Sequence, residues 1–317
     1  MTFSFLKKGS SGPQVRMLQM LLTHSTLGRN ALLVDGQFGN QTHQALIAFQ
    51  EKSGLVPDGI YGRMSASKLV PLTDERFMFS VHAGHGGWIN GEYATHPSTG
   101  KRYFHEGQQF HKGGWFYEGI ENRIIADAVA EGLRKLGVFV LVTHTDYCDD
   151  GYLGQHYVKT LPYIQAGYKG YTHAFHSNAA PTKVKDKAGK VIRRRTQAEL
   201  DQIQGGFVFT TTGSTFSDKI APIELRQWQP RFGKWVRLRG SSSVPNESSD
   251  AEANFKVLRD IEEAAKNVNS FFGAILSEFG FMTSLPDCLF ITSPKVRAMR
   301  IQAAIDTALE VRRMFYK

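Results

Sequence analysis

Cysteine is nearly absent. Cys148 and Cys288 are the only two in 317 residues, so neither a disulfide framework nor a four-thiolate zinc site can be assembled from this chain. Long apolar runs are missing too: no stretch approaches the ~18 consecutive apolar residues that crossing a bilayer takes, which excludes membrane insertion. The opening Met1-Thr2-Phe3-Ser4-Phe5-Leu6-Lys7-Lys8-Gly9 places its charges after a very short apolar stretch. A secretory leader needs them first, with a longer hydrophobic run next, so synthesis in the cytoplasm without an export signal is expected. The glycines of Ala83-Gly84-His85-Gly86-Gly87 lack the lysine and hydroxyl of a phosphate-cradling loop. Acidic residues are the minority, 29 against 38 Lys and Arg, for a formal charge of +9 and a pI near 9.4. That balance suits an acidic partner. The one dense basic run, Arg193-Arg194-Arg195 beside Lys183, Lys185, Lys187 and Lys190, reads as a solvated loop and not as a nucleic-acid patch.

What the chain does have is enough apolar content, 41%, for real cores, and a length comfortable for two domains. The first part contains a repeat. Val34-Asp35-Gly36-Gln37-Phe38-Gly39 followed by Thr42 and Leu46 returns 23 residues later as Pro57-Asp58-Gly59-Ile60-Tyr61-Gly62 followed by Ser65 and Leu69. Each copy reads as a turn feeding a helix. Glycine supplies positive φ, the aromatic plugs a core, and Thr42 or Ser65 is placed to cap the helix. Val15, Leu18 and Leu22, then Ala45, Leu46 and Phe49, fall at helical spacing, so a small all-α three-helix bundle is expected.

Gly9, Gly12, Val15, Leu18-Gln19 and Leu22, together with the two repeats, Phe49-Gln50 and Gly54-Leu55, resemble the peptidoglycan-binding domain of the first type. The resemblance covers residues 1–72 and implies a noncatalytic module that docks on the bacterial cell wall.

After a linker at 73–76 the pattern changes. Strand-like and helix-like segments alternate over 77–317: Phe77 to Val81, a helix from Glu118 to Leu136, the apolar run Val138 to Val142, a strand leading to His176, Gly205 to Phe209, a helix near 253–265, Phe271 to Leu276 and a terminal helix from Pro294. This predicts an α/β domain, a largely parallel twisted sheet with helices on both faces. Two histidines and two glutamates stand in short settings along it: Gly84-His85-Gly86-Gly87, Tyr117-Glu118 with Asn122, Phe175-His176-Ser177-Asn178, and Ser277-Glu278-Phe279-Gly280-Phe281. His85, His176 and Glu278 lie at or near strand ends and can meet at one edge of the sheet. Glu118, opening a helix, can reach the same edge. Two imidazoles and a carboxylate can hold a catalytic zinc with one position open, and a second carboxylate can carry the proton. Amide hydrolysis is the chemistry this set suits.

Those motifs, in that order, resemble the third-type N-acetylmuramoyl-L-alanine amidases over residues 77–317. The resemblance implies one zinc ion on His85, Glu118 and His176, with Glu278 as the catalytic carboxylate. It also implies bacterial peptidoglycan as partner and cleavage of the amide between N-acetylmuramic acid and L-alanine. The chain departs from the pattern at His82, where an acidic residue is usual. It lacks an evident arginine near Leu153 to His156, and it carries long insertions at about 89–117, 182–203 and 214–250. His82 and His173 each precede a ligand by three residues, an odd offset that on a strand points to the opposite face. The insertion from Trp88 to Trp115 either rims the site and tunes which stem peptides enter, or is a plain surface loop. Two other readings stay open: a zinc peptidase cutting within stem peptides, and a wall-binding structural component whose amidase fold has decayed. A monomer is expected, acting on the wall after phage lysis or delivery by an injection apparatus.

Overall fold

The computed structural model describes residues 5–25, 32–69, 76–89, 92–94, 108–111, 114–144, 159–161, 163–165, 167–236, 251–252 and 255–316. The N-terminal region holds helices α1 (Pro13–Ser25), α2 (Asn40–Lys52) and α3 (Arg63–Lys68). Val15, Leu18, Leu22, Phe38, Leu46 and Phe49 form its buried core, at the helical spacing read from the sequence.

The repeat builds the same polar device twice. Gln19 Nε2 donates to Asp35 Oδ1 (2.8 Å), the Gln37 carbonyl (3.1 Å) and Thr42 Oγ1 (3.1 Å), while its Oε1 accepts the Gly36 N–H at 2.9 Å. Gln50 does likewise with Asp58, the Ile60 carbonyl, Ser65 and the Gly59 N–H, at 2.8, 3.1, 3.1 and 2.9 Å. Gly36 and Gly59 take φ of +77° and +66°, the backbone that only glycine adopts cheaply. The expectation that Thr42 and Ser65 cap their helices is corrected. The N-caps are Gly39 and Gly62, without side-chain bonds, and the two hydroxyls sit one turn inside, accepting from the glutamine amides.

The second region is a six-stranded sheet in the order β11-β10-β12-β7-β1-β6, formed by β1 (Phe77–Ala83), β6 (Phe139–Val142), β7 (Lys169–Asn178), β10 (Gly206–Thr210), β11 (Ala251–Glu252) and β12 (Phe272–Phe281). All neighbours are parallel except β10 and β12. Helices α4 (Glu118–Lys135), α6 (Ser217–Phe232) and α9 (Pro294–Arg313) cover one face, burying Ile125, Val129, Trp228, Ala304 and Ala308 against Phe79, Tyr171 and Phe175. Helix α7 (Lys256–Asn267) covers the other through Leu258 and Ile261, and Met20 and Val34 of the N-terminal region are buried on that same face with Met78, Phe139 and Leu141. Burial on both sides explains why β6 reads as a continuous apolar run.

Outside the sheet lie the hairpins β2–β3 (Gly87–Ile89, Glu92–Ala94), β4–β5 (Gln108–His111, Gly114–Tyr117) and β8–β9 (Lys183–Lys185, Val191–Arg194), with short helices α5 (Gln197–Asp201) and α8 (Leu285–Ile291). The basic run read as a loop is therefore a paired hairpin. Strand β12 outruns its expected end at Leu276, because Ser277 is buried and bonded to His173 rather than turning outward. Residues 73–75 of the expected linker, the 153–156 segment, Cys148 and much of the 89–117 and 214–250 insertions lie outside the described residues. No helix among the described residues is long and apolar enough to cross a membrane.

Gln19→Ala and Gln50→Ala each strand a glycine N–H and buried oxygens, at a cost of about 1–3 kcal/mol. Native-state hydrogen exchange of the α1 and α2 amides should show local opening easier by that amount; unchanged protection would refute the structural role of these amides.

Candidate metal centre

Strand β1 ends at Ala83, and the Gly84 N–H extends its pairing with β7 by donating to the Phe175 carbonyl at 2.9 Å. Gly84 has no space for a side chain: a Cβ there would lie 1.9 Å from Cε1 of His176. His85 then takes φ +61°, a left-handed conformation costing a non-glycine residue on the order of 1 kcal/mol. Arg123 of α4 clamps this turn. Its Nη1 donates to the carbonyls of His85 (3.2 Å), Gly86 (2.6 Å) and Gly119 (3.1 Å).

Glu118 is the first residue of α4 and only 1% exposed. Its Oε1 accepts the Ser177 N–H at 2.8 Å and Asn122 Nδ2 at 3.4 Å, and Asn122 also donates to the Gly84 carbonyl at 3.2 Å. Asn122 thus ties helix to turn. The same Oε1 lies 3.6 Å from His85 Nε2 and 3.4 Å from His176 Nδ1. Burial alone would raise the Glu118 carboxyl, but the His85 and His176 imidazoles and the Ser177 N–H overcome it and hold the group below the usual carboxylate range; the positive end of α4 acts in the same sense.

His85, Glu118 and His176 are the one group of three such side chains, among the described residues, whose donor atoms converge within 4.8 Å. The donor set fits a metal. Separations of 3.4 and 3.6 Å are long for charge-assisted hydrogen bonds, whereas two ligands about 2.1 Å from one tetrahedral ion stand roughly 3.4 Å apart. An anionic carboxylate between two imidazoles suits zinc.

Glu278 stands beside this group. On β12 it is paired in register with His176 of β7, so both side chains leave the sheet on the same face. The residue is partly exposed, yet its Oε2 is buried without a hydrogen-bond partner. Burial, then the negative charge of Glu118, push its carboxyl up to about 8, against the pull of His85 and Arg300.

The other histidines divide. His173 faces away from the group, stacked on Phe175 at 4.0 Å with Nε2 3.0 Å from Ser277 Oγ, as its odd offset from His176 predicts. His82 is a correction: its ring centroid lies 6.5 Å from that of His176. The offset rule fails because His85 is not on the strand; the chain has already turned at Gly84. His111 bonds the Met282 carbonyl and His144 bonds Asp127, and neither joins the group. Sequence reasoning missed Arg123 and Arg300. Arg300 is 1% exposed on α9, between Val296 and the buried Ala303, Ala304, Thr307 and Ala308. A lone cation inside an apolar helical stripe was the available signal.

Gly84→Ala should push the His176 ring out of place and weaken any binding of added divalent metal at this group by about tenfold or more. Competition with a chromogenic chelator measures this; parental affinity would show that the close approach is not needed.

Residues 11–69 match the peptidoglycan binding domain family. The chain is similar to the N-acetylmuramoyl-L-alanine amidase CwlL of Bacillus licheniformis, 39% identical over 71 residues, which are 22% of this chain and 20% of that protein. It is also similar to the zinc D-Ala-D-Ala carboxypeptidase of Streptomyces albus G, 40% identical over 70 residues, 22% of this chain and 28% of that protein. The chain thus spans less than a third of either relative. Among solved structures, the N-acetylmuramoyl-L-alanine amidase AmiC2 of Nostoc punctiforme aligns over 74% of this chain and 96% of its own, at 18% identity and a TM-score of 0.48. The chain carries a peptidoglycan-binding domain at its N-terminus, and its curated and structural neighbours include N-acetylmuramoyl-L-alanine amidases.

Proposed function

We propose that this chain is a peptidoglycan hydrolase that cleaves the amide between N-acetylmuramic acid and the L-alanine of the stem peptide. In this reading residues 1–72 hold it on the wall and residues 77–317 do the chemistry. The observation that carries the proposal is the register of Glu278 against His176, which sets a carboxylate of raised proton affinity beside a group of two histidines and an anionic glutamate.

His85, Glu118 and His176 would hold one zinc ion. Zinc bound there supplies Lewis acidity, polarising the scissile carbonyl and acidifying water. The chain's own residues divide the remaining work. Glu118 stays ionised and keeps the two imidazoles oriented. Glu278 takes the proton of the attacking water on its carboxylate and returns it to the departing amine. The two carboxyls are pushed in opposite directions, Glu118 down and Glu278 up, which is the separation expected between a ligand and an acid-base group. Arg123 and Asn122 fix the turn and the helix start from which His85 and Glu118 project.

A second reading, a zinc peptidase acting within the stem peptide, draws support from the similarity to a zinc D-Ala-D-Ala carboxypeptidase. Mass spectrometry of digested peptidoglycan separates the two. The amidase releases intact stem peptides beginning at L-alanine; peptide fragments still joined to muramic acid would overturn it. Glu278→Ala should lose at least about a hundredfold of rate with zinc per chain unchanged. His176→Ala should lose the zinc, as measured by inductively coupled plasma spectrometry.

A further inference from the structure

The thirteen residues Lys183 to Arg195 contain seven basic side chains and one acid, and so contribute +6 of the chain's formal +9. They form the hairpin β8–β9, closed at its base by the Arg195 N–H on the Thr182 carbonyl (2.8 Å) and at its tip by the Asp186 N–H on the Lys190 carbonyl (2.9 Å). The acid is spent on the turn: Asp186 Oδ1 accepts the N–H groups of Ala188 and Lys190, both at 2.9 Å. Arg193 is spent on the root, in a two-pronged pair with Glu199 at 2.7 and 2.9 Å, while Glu199 closes the capping box of α5 with Thr196. Lys183, Lys185, Lys187, Lys190 and Arg194 are exposed, and no described carboxylate pairs with them. Lys183 lies directly opposite Arg194, a like-charge pairing that weakens a hairpin. Stability alone does not account for that arrangement; a polyanion seated on it does.

The hairpin is rooted where the proposed chemistry is. Strand β7 carries His176 and ends at Asn178, and the Ala180 N–H then donates to Thr283 Oγ1 (2.9 Å) in the turn that follows β12. On the far side, Gln197 Nε2 donates to the Thr283 carbonyl (3.0 Å), and the Leu285 N–H to Asp201 Oδ1 (2.9 Å). Both ends are therefore fixed to the sheet edge that carries Glu278.

We propose that the hairpin Lys183–Arg195 is a docking surface for a phosphodiester-linked polymer of the bacterial wall, holding it beside the candidate metal centre. Repeating phosphates match a row of exposed cations with bidentate capacity at Arg194. A lipid surface fits less well: the exposed Val191 and Ile192 are consecutive on one strand and point to opposite faces, so they give no apolar side to insert. Single-stranded nucleic acid is disfavoured because the hairpin has no aromatic side chain for bases to stack on. The proposal rests on the hydrolase reading only for where the polymer is met.

The test compares the full chain with its Lys183→Gln, Lys185→Gln, Arg194→Gln variant, both carrying Glu278→Ala to prevent turnover. The ligands are purified poly(glycerol phosphate), and walls before and after hydrofluoric acid removes their phosphodiester polymers. The parent should bind the polymer in a salt-sensitive way, and the triple variant about tenfold or more weaker. Extraction should lower wall binding by the parent much more than by the variant. Equal affinity of the two chains for the polymer overturns the proposal. So does an undiminished difference on extracted walls, which would make stem-peptide carboxylates the partner, or equally tight binding of the parent to anionic phospholipid vesicles. With Glu278 restored, the triple variant should hydrolyse a small soluble muropeptide at the parental rate, so failure of the amidase reading is seen separately.

Discussion

A carboxylate at 1% exposure that remains ionised is the constraint around which this structure is arranged. Removing an ionised carboxylate from water costs several kcal/mol unless donors and positive charge replace the lost hydration. Glu118 gets that replacement from four places: the Ser177 N–H of β7, the Asn122 amide one turn further along its own helix, and the imidazoles of His85 and His176. No single element could supply them. Strand β7 must run beside β1, α4 must begin where β5 ends, and the chain after β1 must turn sharply enough for His85 to face back. Gly84 permits that approach and Arg123 holds it.

Beneath this group the packed face of the sheet holds buried charged side chains among its apolar ones. Arg300 lies between the rings of Phe175 and Phe279, 5.4 and 4.6 Å from their centroids, with Nη2 3.5 Å from the His176 carbonyl. Burial lowers its guanidinium to about 10, while Glu121, Glu224, Glu118 and Glu278 pull the other way. Glu224, also on this face, is pushed up by burial to about 7 although Trp228 Nε1 donates to it at 2.6 Å. One turn before Arg300, Arg297 grips Glu121 of α4 with two nitrogens. Helix α9 thus bonds to α4 through a paired charge and places a second cation under the two carboxylates of the site. Such pairs add little net stability over apolar packing, but they penalise any other seating of the helices.

The grouping of His85, Glu118, His176 and Glu278 was legible because each sits in a short setting whose neighbours are forced. A glycine must precede His85 where the His176 ring passes, and a strand must continue through His176 and Glu278 for them to meet in register. The fold class was legible from the alternation of strand-like and helix-like segments and from the continuous apolar run of β6, as expected of a strand buried on both faces. The supporting residues were not. Arg123 acts through backbone carbonyls, which leave no mark in the side-chain sequence. His82 was assigned the wrong face because the offset rule assumes a strand that has already ended. In the repeat, Thr42 and Ser65 look like caps to local reasoning, and only the fold reveals that Gln19 and Gln50, 23 and 15 residues away in sequence, claim them.

The same distant amides bear on how the two regions work together. The Gln19 network fixes α1 against the turn Asp35-Gly36-Gln37, and those two segments flank Val34 and carry Met20, the residues buried with Met78, Phe139 and Leu141 of the sheet. Tyr163 is buried in the same cluster. The helical region is therefore seated on the sheet, on the face opposite α4 and α9, by its own core-forming elements. In a flexible tether, effective concentration is set by linker length. Under the proposed function it would be set by the orientation in which the bundle packs, and a wall strand held by the N-terminal region would meet the edge carrying His85, Glu118, His176 and Glu278 from a defined direction.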